Sequence, residues 1–88
     1  DVWYGFTYPL KSGETINTSS WLIDGAAVNG GDTVSGLTFE ASSLVGSDCQ
    51  ARLSGGNAGV KYCVTNRIST NLTPSDDRSF NLHIVAKL

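Results

Sequence analysis

The stretch Leu53-Ser54-Gly55-Gly56-Asn57-Ala58-Gly59-Val60-Lys61-Tyr62-Cys63 gathers residue types from which an active site is built: clustered glycines, a lysine, a tyrosine and a thiol. A phosphate loop needs Gly-Lys-Ser/Thr at the opening of a helix, so that backbone N–H groups and the helix N-terminus face the anion. Here Lys61 follows Val60, and Tyr62-Cys63-Val64 continues with the alternation of a strand. That context speaks against phosphate binding. The stretch reads instead as a tight inter-strand corner in which Gly55, Gly56 and Gly59 set backbone geometry.

Other reactive groups are scattered. His83 is the sole histidine and lies on the strand face opposite Phe80, Leu82 and Ile84, so a solvent-facing or interface role fits better than catalysis. Two cysteines and one histidine are too few for a zinc site. Asp76-Asp77-Arg78 falls short of the six to eight oxygens a calcium loop supplies, and reads as turn residues with a surface ion pair. No catalytic residue, metal or cofactor is expected.

The chain has 88 residues, net charge −2, 40% apolar and 16% charged residues, which bounds it to one domain, residues 1–88, too apolar to be disordered. Its six Lys and Arg are dispersed from Lys11 to Lys87, without the basic patch of a nucleic-acid binder. No apolar run approaches the roughly 20 residues of a membrane helix. The chain starts at Asp1 rather than Met, and a preceding segment, removed or part of a longer protein, is expected.

Gly, Thr, Ser, Asn and Val dominate, which disfavours helices. Short alternating runs separated by turn residues read as strands. The first spans Val2 to Tyr8 and is ended by Pro9. A second covers Thr15 to Ile23, and Asp24-Gly25 and Asn29-Gly30-Gly31-Asp32 are turns. A third runs from Thr33 to Ala41, with a break or bulge at Gly36. Ser42–Ser47 is ambiguous, with Leu44-Val45 expected inside. Further strands are Asp48–Leu53, Val60–Thr70 and Arg78–Leu88. The pattern predicts an all-β fold, an immunoglobulin-like two-sheet β-sandwich of about seven strands, with a small closed barrel as the alternative.

In such sandwiches a tyrosine near the start of the penultimate strand hydrogen-bonds across the preceding corner, and the residue two positions on points inward. Tyr62 and Val64 fit those places, and Trp21 fits the buried central tryptophan. A plain surface tyrosine is the other reading of Tyr62. Val64, Ile68, Phe80, Leu82 and Ile84 complete the expected core. With Tyr62 and Val64 inward, Cys63 faces outward, whereas Cys49 lies on an apolar face with Ala51 and Leu53. That opposition argues against a disulfide. Trp3, Tyr4, Phe6 and Tyr8 put aromatics on both faces of the first strand. This is unusual for a free monomer and marks Trp3, Tyr4 and Tyr8 as partner-contacting residues.

The residues also resemble a family. Tyr4-Gly5-Phe6, Gly13-Glu14-Thr15-Ile16, Ser19-Ser20-Trp21, Gly36-Leu37-Thr38, Asp77-Arg78-Ser79-Phe80 and above all the block from Leu53 to Ile68 are similar to the small fibre–tail adaptor proteins of tailed bacteriophages. The departures fall in Asp24–Asp32 and Ser42–Cys49. The resemblance implies a non-enzymatic structural virion protein in multiple copies. Its partners would be other virion proteins (tail, fibre, connector or capsid), with neither nucleic acid nor membrane. Docking through the first strand, the loops or both is expected. Capsid decoration and a carbohydrate- or cell-surface-binding module, with Trp3, Tyr4 and Tyr8 as a sugar platform, are the competing expectations.

Overall fold

Turn chemistry divides the chain. The computed structural model describes residues 2–85. Eight strands follow one another: β1 (Val2–Thr7), β2 (Ile16–Ile23), β3 (Ala26–Val28), β4 (Asp32–Val34), β5 (Leu37–Val45), β6 (Asp48–Gly55), β7 (Lys61–Thr70) and β8 (Asp76–His83). Asp24-Gly25 and Ser35-Gly36 both carry positive φ at each residue, the signature of the two-residue hairpin turn that matches strand twist. The first turn folds β3 back onto β2. The second divides the expected single strand Thr33–Ala41 into β4 and β5. These two hairpins are why eight strands form rather than about seven.

The strands make two antiparallel sheets, ordered β1-β6-β5-β4 and β3-β2-β7-β8. In immunoglobulin terms β1, β6 and β5 stand where strands B, E and D stand, and β2, β7 and β8 where C, F and G stand. Among the described residues nothing occupies the place of strand A beside β1.

Between the sheets lie Trp21, Ile23, Val28, Leu37, Phe39, Cys49, Ala51, Leu53, Tyr62, Val64 and Ile68, all buried. Phe80, Leu82 and Ile84 are half-buried against this core rather than enclosed by it, because β8 is an edge strand. A register shift between Phe39 and Ala41 bulges β5. In a period-two strand such a slip exchanges the faces, so Leu37 and Phe39 point inward while Ala41 pairs with outward Arg52. Ser42–Val45 continues β5 to its tip. Leu44 and Val45 are exposed there, not inside: β4 pairs with β5 only at Leu37–Phe39, so this end of β5 has no strand on its outer side among the described residues, and Val45 pairs with exposed Asp48. The last strand starts earlier than expected, at Asp76, and ends at His83; Ile84 and Val85 of the expected strand are not in it, and residues 86–88 lie outside the described residues.

Candidate partner-docking surface

β1 is an outer strand of its sheet, and its two faces differ. Val2, Tyr4 and Phe6 turn toward the opposite sheet. Tyr4 stacks on Phe80 with ring centroids 5.3 Å apart, and Phe6 lies 6.4 Å from Trp21. Both are half-buried. Trp3 turns outward and is 46% exposed, with the Arg52 guanidinium 5.7 Å from its ring centroid. Tyr8, expected at the partner surface, is 3% exposed. Pro9 turns the chain just beyond β1, with the Leu10 N–H donating to the Tyr8 carbonyl, and the Tyr8 ring joins the buried core beside Phe6. There its hydroxyl donates to Asn66 Oδ1 at 2.8 Å. Tyr8 therefore leaves the list of surface aromatics. Burial, with the neighbouring Cys49 and Asp76 charges, pushes its pKa up to about 12, against the opposing pull of Arg78 over its ring at 5.0 Å.

The main chain of β1 has an inner and an outer edge. The Tyr8 N–H donates to the Ser47 carbonyl, in the same register that pairs Val2 with Leu53 and Thr7 with Asp48. In an antiparallel ladder, residues alternate in the direction of both polar groups. Val2, Tyr4 and Phe6 therefore bond to β6, and Trp3, Gly5 and Thr7 direct N–H and C=O to the open edge. Gly5 has a reason to lack a side chain: a Cβ there would sit 2.5 Å from the Cys49 carbonyl oxygen and 2.7 Å from Gln50 Cγ.

Below β1 a shallow groove of about 210 Å³ runs toward β8, lined by Val2, Tyr4, Leu37, Leu53, Leu82 and Ile84 among others. A second cleft, of about 190 Å³, lies at the other end of the sandwich between Tyr8, Leu10, Lys11, Glu14, Asp76 and Arg78. His83 lines neither and is exposed. Glu14 accepts from the Thr70 hydroxyl at 2.6 Å and from the Lys11 N–H at 3.0 Å, which holds its carboxyl below the ordinary carboxylate value. No cluster of three or more His, Cys, Asp or Glu able to hold a metal occurs among the described residues. Both cysteines are free thiols, Cys49 buried and Cys63 exposed.

The glycine stretch forms a corner between β6 and β7. Tyr62 Oη donates to the Ser35 carbonyl at 2.6 Å and accepts from the Asn57 N–H at 3.0 Å. One phenol thus ties the β4–β5 turn to the β6–β7 corner. Gly55, Gly56 and Gly59 all have positive φ. Their amides serve protein rather than a ligand: Gly56 N–H donates to the Gly36 carbonyl and Gly59 N–H to that of Ile84. A Cβ on Gly56 would meet Ile84 Cγ1 at 2.7 Å.

The surface includes Val2, Gly5, Gln50 and Arg52, which sequence reasoning left aside. Val2 was legible as the outer end of an aromatic strand. Arg52 and Gln50 lie beside Trp3 and Gly5 only through the β1–β6 register, which no local pattern encodes.

The model of the podophage GP4 fiber-tail adaptor protein gp77 family matches residues 1–83, and the chain belongs to that family. It is accordingly a structural component of a phage virion. No curated protein and no solved structure matches it.

Proposed function

We propose that this chain is a non-enzymatic adaptor domain that joins fibre to tail through protein–protein contacts. The observation that carries the reading is the family match across residues 1–83. The surface supports it. Trp3 and Val2 offer apolar area, Tyr4 borders the groove, and the free main-chain edge of β1 offers hydrogen bonds without charge. Repetition of such a contact by virion symmetry raises its strength through avidity.

The two clefts are small and neither joins His83 to an acid and a nucleophile, which favours a binding role over catalysis. The sugar-platform reading has little support. Tyr8 is buried and Tyr4 stacks on Phe80, so Trp3 alone remains of the proposed aromatic shelf.

Particles assembled without this protein test the proposal. Electron microscopy is expected to show tails that lack fibres. Fully fibred tails on such particles would remove the adaptor role.

A further inference from the structure

The described residues leave β1, β4, β3 and β8 at sheet edges. Edge strands are normally protected by shortness, charge or proline. β3 and β4 are three residues long, and β8 opens with Asp76, Asp77 and Arg78. β1, Val-Trp-Tyr-Gly-Phe-Thr, has six residues, no charge and no proline. It is the edge least defended against another strand.

We infer that β1 pairs with β1 of a second copy of this chain, antiparallel about a two-fold axis, to make one continuous sheet across the dimer. The inference deepens the adaptor reading by naming one partner at β1, and it rests on that reading only for its place in the virion. Three observations select a second copy. The strand carries no charge, so self-pairing opposes no like charges along it. The neighbouring strand β6 sets Arg52 beside Trp3 and Asp48 beside Thr7, giving the outer face a cationic end and an anionic end. An antiparallel two-fold axis brings the Arg52 end of one copy alongside the Asp48 end of the other, which a parallel arrangement would not. Finally, with Gly5 on the axis, Trp3 pairs with Thr7 of the second copy. The outward N–H and C=O groups of Trp3, Gly5 and Thr7 are then all used. Gly5 meets Gly5 where no side chain projects, and exposed Trp3 gains a cross-strand neighbour.

Amide exchange on the unaltered chain, resolved by residue and followed with concentration alongside sedimentation, tests this. The expected result is a dimer in which the amides of Trp3, Gly5 and Thr7 become protected as it forms. Those of Tyr4, Phe6 and Tyr8, bonded to β6, are protected throughout. Trp3→Pro removes an outward N–H and no bond to β6, and is expected to weaken the dimer about tenfold or more. The exchange pattern does not depend on that variant folding. A chain monomeric at every concentration overturns the inference. So does a dimer in which those three amides stay unprotected, or protection that appears only with a strand from a different virion protein. A monomer that still binds virions would sink this dimer and leave the adaptor reading standing; a dimer that never binds virions would do the reverse.

Discussion

Tyr8 Oη lies 2.8 Å from Asn66 Oδ1, a hydrogen bond between residues 58 apart in sequence that ties the residue just beyond β1 to β7, an inner strand of the opposite sheet. The Asn66 side-chain NH2 donates to Ser19 Oγ and to the Ser20 carbonyl, each at 2.9 Å, so a fully buried amide has its needs met by two sheets at once. A half-broken buried network costs more than its absence. Tyr8→Phe is expected to destabilise by about 1–3 kcal/mol. In a double-mutant cycle with Asn66→Ala the two changes should couple by roughly 0.5–3 kcal/mol. Simple additivity in denaturant unfolding would contradict the network.

The same phenol sets an alkaline limit. Its folded pKa, about 12, stands above the ordinary 10.0. The unfolded state therefore releases the proton first, and stability is full below pH 10 and falls as pH rises from there toward 12. Unfolding measured across that window should show a fall that Tyr8→Phe flattens, and an unchanged slope in the variant would refute the assignment.

At the acid end Glu14 and Asp77 act in the opposite sense. The Thr70 hydroxyl lowers the first, and the bidentate Arg67 guanidinium lowers the second. Each contributes stability above its unfolded pKa, lost as pH falls through the depressed folded value. Glu14→Gln should shallow the acid limb of the stability curve. A limb of unaltered steepness would show that this carboxylate is not linked to folding.

At the corner, Tyr62→Phe removes one donor and one acceptor contact, leaving the Asn57 N–H to find another partner while the Ser35 carbonyl keeps only the Asn57 side-chain amide at 2.8 Å. The expected loss is about 1 kcal/mol or more, or roughly 4–8 °C of melting temperature per kcal/mol for a domain this size. An unchanged melting temperature would mean that the phenol does not fasten the corner.

Gly56→Ala places a Cβ against Ile84 at a φ of +97°. It should cost about 1 kcal/mol or more, since both the backbone and the neighbouring side chain must yield. Gly46→Ala, also at positive φ but with open space around its Cβ, should cost less. Equal melting shifts for the two would show that the contact with Ile84 adds nothing.

Much of this architecture was legible because alternation and turn residues agree. Trp21, Val64 and Ile68 sit on the inner faces of long strands, and Asp24-Gly25 is a turn by chemistry alone. The Ser35-Gly36 hairpin was harder, since a lone glycine inside an apolar run reads equally as a bulge. The β5 bulge was invisible locally because it reverses which residues of one strand face the core. Tyr8 lies deeper than its sequence suggests for a related reason: period two puts it on the right face, but depth depends on Asn66, a partner that sequence distance conceals. For the docking surface, the aromatic content of β1 was readable. Its outward main-chain edge, and the Arg52 and Asp48 charges flanking it, exist only once β6 is paired.

We propose that this chain sits where fibre meets tail. The most direct measurement is to add the labelled chain to virions stripped of minor proteins and image where it binds. Density confined to the tail or its vertex is the predicted result. Density spread over the capsid lattice, or no binding at all, would contradict the account.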